Sequence, residues 1–509
     1  MLLDGGIIRT MDPTVPIVAQ LAVDGDRVIA PRNGGVAAAS RVDLGGRCVV
    51  PGFTDSHVHF PTWAVAQRQV RLEGCRSLDE AVTRVQSALG SASPGGWLVG
   101  YGWRSGDWTD PVAPTRHHLD TVTGGTPVAM WSRDDHSVWL NSAAMAMATP
   151  ADLAAPGGVV ATDDTGEPTG LLGEEAAWAF RRHIAITDDE YVDAMSDGIA
   201  IAHRRGVIAV HDKDGWIGAP RLWQRLHERG RLTLRVWQSL PVEHLGNLED
   251  LRIRSGVGDE WFRLGYLKVF MDGSLGSGTA AMLDGSGVTI TTGSELEETI
   301  TRATAAGWPL AVHAIGDAAN RAALDGFAAT TESWRAAGLR HRIEHAQCVD
   351  PSDTARFAAI GVAASVQFSH ATSDRHLTDR HWSHLEGAYA YRSLVDAGTV
   401  LANGSDAPVE ELDPLAGIVA AVRRTLDDQP PWRPAQALTV EQALLASTVG
   451  PAWLSGDEHR RGRLIPGHFA DLVVLDADPV TVSPDVLPDI TVVATMVGGR
   501  WVHNPPPWT

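Results

Sequence analysis
Two histidines one residue apart, His57 and His59, close a strand-like segment that begins at Val49. Side chains two apart on a strand share a face, so both imidazoles can point to one place. Four more residues fall in or just after short runs of strand character. They are Lys268 in Gly265-Tyr-Leu-Lys-Val-Phe, His313 in Ala311-Val-His, His345 in Arg342-Ile-Glu-His and Asp406 in Asn403-Gly-Ser-Asp. Imidazole and carboxylate are the groups a borderline divalent cation prefers. A lysine amid Leu, Val and Phe is costly to bury as an ammonium, and carbamylation by CO2 would make it an anionic oxygen ligand able to bridge two metals. The chemistry open to this set is metal-assisted hydrolysis. A cation pair lowers the pKa of a shared water towards neutrality, and one ion polarises a carbonyl. Asp406 can take the water proton and pass it to a leaving nitrogen. His57, His59, Lys268, His313, His345 and Asp406 are therefore the expected ligands of one or two divalent ions, with zinc foremost. Asp406 and Lys268 carry the catalytic roles.

Such a set converges only if the strands that bear it lie side by side and run the same way. Strand-like segments occur at 49–57, 207–211, 234–240, 264–271, 309–314, 342–346, 362–367 and 400–405. Amphipathic helix patterns such as 296–306 and 320–337 connect most of them. Eight βα units favour a closed (β/α)8 barrel of the TIM type, an α/β fold whose sites form at the C-terminal ends of the strands. The candidate ligands sit at those ends. Both chain termini are rich in short strands and turns, including a hairpin around Asp24-Gly25. They predict one small β-sandwich domain built from 1–50 and 455–509, with the barrel over 51–454. Roughly 150 residues separate the first two barrel strands, far beyond a usual crossover. Residues 97–178 are read as an insertion after the first strand, over the active site.

The string Pro51-Gly-Phe-Thr-Asp-Ser-His57-Val-His59 resembles the first-strand signature of the amidohydrolase superfamily. The ordered set Lys268, His313, His345, Asp406 is similar to that of its binuclear members, and Gly462-Arg-Leu-Ile-Pro-Gly-His-Phe-Ala-Asp471-Leu-Val-Val-Leu resembles their C-terminal sheet segment. Asp135-His136-Ser-Val-Trp-Leu-Asn141, Pro168-Thr-Gly-Leu-Leu-Gly-Glu174, Lys268-Val-Phe-Met-Asp-Gly-Ser274 and His313-Ala-Ile-Gly-Asp317 look like the branch that includes N-substituted formamide deformylases. The resemblance covers nearly the whole chain. It implies a barrel with a composite β-sandwich, a metal-activated hydroxide nucleophile and hydrolysis of an amide-like C–N bond. Cyclic-imide, carbamate and N-acetyl hydrolysis would use the same site, and a non-catalytic regulatory relative is a further alternative.

Substrate contacts are expected from His136, Asp272, Ser274, Gln367 and His370. The chain has 18 tryptophans, several in or beside the insertion. Trp103 and Trp131 are expected to favour an apolar or aryl substituent. Arg342 and Glu344 read as an ion pair within the sixth strand. With 42 Lys+Arg against 62 Asp+Glu the formal charge is −20, which disfavours a phosphate backbone as partner. No apolar run has the length of a membrane span, and three cysteines form no paired framework. The expectation is a cytoplasmic protein acting on a small-molecule substrate, without nucleic-acid or membrane partners, in which a homodimer is allowed.

Overall fold
The computed structural model describes all of the chain except residues 31–39, 92–95, 134, 185, 428 and 509. Part of the N-terminal strand segment expected over 1–50 thus lies outside the described residues. The chain falls into two compact units, Met1–Phe60 together with Ser196–Thr509, and Pro61–Met195.

The first unit is organised by eight parallel strands: β1 (Phe53–Val58), β2 (Val207–Asp212), β3 (Arg235–Pro241), β4 (Phe262–Phe270), β5 (Leu310–Ala314), β6 (Arg342–His345), β7 (Ala363–Val366) and β8 (Leu401–Asn403). They lie in sequential order. Closure comes just beyond the last ladder, where the Asp406 N–H donates to the His57 carbonyl (2.7 Å) and the His59 N–H to the Ala407 carbonyl (2.9 Å). These strands are largely buried on both faces, as a TIM barrel requires, and most of them are rich in apolar residues.

One expected strand divides in two. Residues 49–57 do not form one element: Cys48–Pro51 pairs with Leu472–Leu475, while Phe53–Val58 pairs with β2. Gly52 is the pivot. A Cβ there would lie 2.4 Å from the Ile208 side chain, so only glycine lets the chain pass between the two sheets. Cys48–Pro51 belongs to a six-stranded sheet with Arg500–His503, Val492–Val497, Leu472–Leu475, Ile7–Arg9 and Ile17–Val18. A second sheet holds Leu2–Asp4, Leu21–Asp24, Arg27–Ile29 and Arg41–Asp43. Leu3, Val23 and Val28 share a core with Leu472, Val474 and Met496, so both termini build one sandwich. It is tied to the barrel floor by the buried pair of Arg235, first residue of β3, and Asp471 (Nε to Oδ2, 2.8 Å).

The second unit holds its own six-stranded mixed sheet, running from Gly158–Thr162 through Pro168–Glu174, Ser137–Leu140, Val128–Ser132 and Leu98–Trp103 to Val70–Arg71. Residues 97–178 lie within it. Tryptophan builds its interior: Trp97 and Trp131 on one face, Trp103, Trp108 and Trp139 on the other.

Candidate metal centre at the barrel mouth
β1 delivers His57 and His59 to the C-terminal end of the barrel, and the turn after β8 brings Asp406 between them. The Asp406 Oδ1 lies 3.3 Å from His57 Nε2 and 3.6 Å from His59 Nε2. Asp406 reaches this place through a left-handed backbone (φ 60°), a sparsely populated state for a non-glycine residue. Gly404 makes the approach sterically open, since a Cβ there would sit 2.4 Å from the His57 nitrogen. Asp55 fixes the same junction: its Oδ1 accepts from the His57 N–H (3.0 Å) and the Ser405 N–H (3.1 Å). Burial lifts the Asp55 carboxyl to about 7 despite these bonds.

His345 ends β6 with φ 71° and its ring stands 4.7 Å from that of His57, centroid to centroid. The His313 ring, from β5, meets His345 edge-on at 4.5 Å. Lys268 on β4 is buried beneath them, its Nζ 5.0 Å from the Phe270 ring centroid. Burial pulls the Lys268 ammonium below its ordinary range, with Glu344 and Asp406 opposing that shift. Burial likewise pushes the Asp406 carboxyl up, against His59, His370 and Lys268.

Three imidazoles are held from behind. His57 Nδ1 donates to Glu344 Oε2 (2.8 Å), His59 Nδ1 to Asp214 Oδ1 (2.8 Å) and His345 Nδ1 to Gln367 Oε1 (2.8 Å). Each bond fixes a tautomer that turns the other nitrogen's lone pair forward, the arrangement of metal-binding histidines. Burial opposes charge on His59, yet the Asp214 and Asp406 carboxylates outweigh it and raise the ring to about 9, so a cation bound there would displace the proton on Nε2. Burial drives His57 and His345 well below the usual imidazole range. Glu344 is ionised far below the carboxylate range: burial opposes this, but Arg342 and His57 prevail. Its Oε1 faces Arg342 Nε at 2.8 Å and Lys213 Nζ at 3.2 Å.

His370, which follows β7, joins the cluster. A nitrogen of its ring and of His345 and an oxygen of Asp406 lie within 4.8 Å of one another, as do the corresponding atoms of His57, His59 and Asp406. The Nε2 atoms of His57 and His370 are buried and make no hydrogen bond. Unpartnered buried nitrogen around a carboxylate is costly in an apolar barrel and suits a cation, so these residues fit a divalent metal. Residues of both groups would hold it, with His313 and Lys268 adjoining.

The other expected contacts have partners of their own. Asp272 spends its carboxylate on the backbone N–H groups of Ala281, Ile315 and Gly316 (2.8–3.0 Å). The Ser274 Oγ meets Ser277 Oγ at 2.9 Å. Gln367 orients His345, as above. His136 belongs to the second unit, where its Nδ1 meets Glu174 at 2.8 Å. Trp103 and Trp131 are in the second unit's core. The Trp103 indole donates to the Met130 carbonyl (2.7 Å), and the Arg181 guanidinium lies 4.0 Å over the Trp131 ring. Asp214, Lys213 and Asp55 were not singled out in the sequence. Asp214 stands two residues beyond β2, a barrel-mouth position, and that placement was the available signal.

The architecture and site define a metal-dependent hydrolase of the amidohydrolase type. The model of the Amidohydrolase family matches residues 41–503, and the chain belongs to that family. Protein LONG AFTER FAR-RED 3 of Arabidopsis thaliana is 30% identical, covering 99% of this chain and 91% of the relative. The N-substituted formamide deformylase of Arthrobacter pascens is 27% identical, covering 97% and 96%. The crystal structure of an uncharacterised metal-dependent hydrolase from Pyrococcus furiosus superposes with TM-score 0.75 at 28% identity, covering 94% of this chain and 99% of that one. Among the described residues no helix is long and apolar enough to cross a membrane.

Proposed function
We propose that this chain hydrolyses the C–N bond of a neutral N-substituted amide or formamide, using divalent cations, with zinc foremost. The observation that carries the reading is the set of forward-facing imidazole nitrogens, each fixed from behind, gathered around the one carboxylate of Asp406. The resemblance to a formamide deformylase supports the substrate class. A divalent cation held there supplies a Lewis acid that activates water and polarises a carbonyl.

The chain's own groups do the rest. Asp406 receives a proton on a carboxylate oxygen, and burial favours that protonated form. It then delivers the proton to the departing nitrogen, which would otherwise leave as an unstable amide anion. Lys268, its ammonium disfavoured by burial, adds through neutral Nζ to CO2; an N–C bond forms, one proton leaves, and an anionic carbamate oxygen faces the site. Asp214 and Glu344 keep His59 and His57 in their ligating tautomers.

The test is metal analysis of protein purified without chelator, joined to an assay panel of formanilide, acetanilide, a cyclic imide and a carbamate. About one to two zinc ions per chain are expected. Formanilide turnover should be abolished by a strong chelator and restored by zinc. Undiminished turnover in chelator would overturn the reading. Cleavage of only the imide or carbamate moves the substrate class to that alternative, and metal without turnover of any panel member favours a regulatory relative.

A further inference from the structure
Trp103 and Trp131 lie in the core of the second unit, and a further tryptophan follows closely on a residue that orients a candidate metal ligand. Trp216 lies in the short turn of helix Gly215–Ile217, two residues past Asp214, the carboxylate that holds His59. It is 49% exposed, whereas most large aromatics of this chain are packed inside. Its ring meets that of Phe270 at 5.7 Å, centroid to centroid. Phe270 ends β4, two residues beyond Lys268 and so on the same strand face, and is half-buried. In register it pairs with His313, and its ring lies 5.1 Å from the His313 imidazole.

The three rings therefore step outward from the edge of the ligand cluster: His313, which adjoins it through His345, at 9% exposure, then Phe270, then Trp216 towards solvent. A single exposed tryptophan on a surface needs no explanation. One whose ring continues an aromatic path to a candidate metal ligand is placed where a group attached to the reacting carbon or nitrogen would lie. The flat apolar faces offer no charge to pair with a carboxylate or ammonium, and they suit offset or edge-on contact with another ring.

We propose that Trp216 and Phe270 form an aryl-binding subsite that selects substrates carrying an aromatic substituent on the amide nitrogen. This rests on the functional reading above, and deepens it by naming the group recognised and the residues that recognise it.

The test compares two metal-chelating probes that differ in one group, N-hydroxy-N-phenylformamide and N-hydroxy-N-methylformamide, binding to the zinc-loaded protein by calorimetry. The phenyl probe is expected to bind about tenfold tighter. In Trp216→Ala that preference should fall to about threefold, in Trp216→Phe it should largely persist, and in Trp216→Ala with Phe270→Leu it should vanish. Zinc content, measured on each variant, should stay that of the parent protein. Should Phe270→Leu disturb the metal, the solvent-facing Trp216 variants still read the subsite. Equal affinity of the two probes in the parent protein, or an unchanged preference in Trp216→Ala, overturns the proposal. A preserved phenyl preference without turnover of formanilide leaves the subsite standing and sinks the amide-hydrolase reading instead.

Discussion
The barrel buries two ionic clusters, one near the N-terminal ends of its strands and one near the C-terminal ends. At the floor, Asp471 takes both Arg235 bonds (2.8 and 3.1 Å) and the Gly498 N–H (2.7 Å), and Asp457 is enclosed by Arg263, Arg460 and Arg461. At the mouth, Glu344 answers Arg342 and Lys213 on one oxygen and His57 on the other. The ingredients are alike. The difference is where each chain of bonds stops. The Asp471 bonds end in guanidinium and backbone, so the interactions close on themselves and serve cohesion. The mouth cluster ends in the Nε2 of His57, which makes no hydrogen bond and faces the Asp406 carboxylate at 3.3 Å. Buried charge alone does not mark function; buried imidazole nitrogen left without a hydrogen bond beside a carboxylate fits a cation.

Four outcomes would break or sharpen that contrast. The largest effect is expected from Asp406→Asn, which keeps shape but cannot accept a proton; kcat on formanilide should fall about 10³-fold or more, with the thermal midpoint nearly unchanged. Near-normal turnover would move the proton-transfer role to another group, His370 first. Lys268→Ala should lose about 10²-fold or more in kcat, with partial return when a short carboxylate such as propionate is added. No recovery together with an unmodified amine in metal-loaded crystals would remove the carbamate from the scheme.

At the floor, Arg235→Ala should cost about 3–5 kcal/mol of unfolding free energy, because the buried Asp471 is left unpaired. Zinc bound per folded molecule should stay the same. Glu344→Gln should give the opposite signature, an approximately 10- to 100-fold loss of zinc affinity in competition with a chelating dye. Some stability should go with it, since Lys213 and Arg342 lose their counter-charge. If both variants lowered stability alone, the two clusters would be equivalent and the distinction drawn above would fail.

Much of this was legible in the sequence, for specific reasons. Both faces of the barrel strands are covered, so most of them are rich in apolar residues, with the histidines and aspartate at or just beyond their ends and Lys268 two residues before the end of β4. The break at Gly52 was hidden because both flanking strands are wholly buried and the segment reads as one continuous strand. The role of Glu344 was half visible. Strand alternation puts Arg342 and Glu344 on one face and His345 on the other, which suggested only an ion pair. In the fold, the left-handed backbone of His345 and Ala346 ends the pleat and lets His345 enter the mouth beside its neighbour's partner His57. No spacing rule announces a positive φ at a non-glycine residue. Trp103 and Trp131 are packed in the core of the second unit, so the abundance of tryptophan there records how that segment builds its core, and Trp216 stands outside that segment.

The bonds that close the barrel have a consequence for how the protein comes into being. Ser405 meets Asp55 across 350 residues of chain, and Asp406 donates to the His57 carbonyl beside it. Joining ends so far apart has a large loop-closure cost and belongs among the slow, late contacts of a folding chain. His57 and Asp406 face each other only once that seam has formed. A ribosome-bound or partly folded chain, with seven strands assembled and the eighth still loose, would carry most of the barrel yet present no complete cage. A cation held by these residues would bind the finished barrel in preference to any open precursor, and its main kinetic effect should be to slow the seam's reopening.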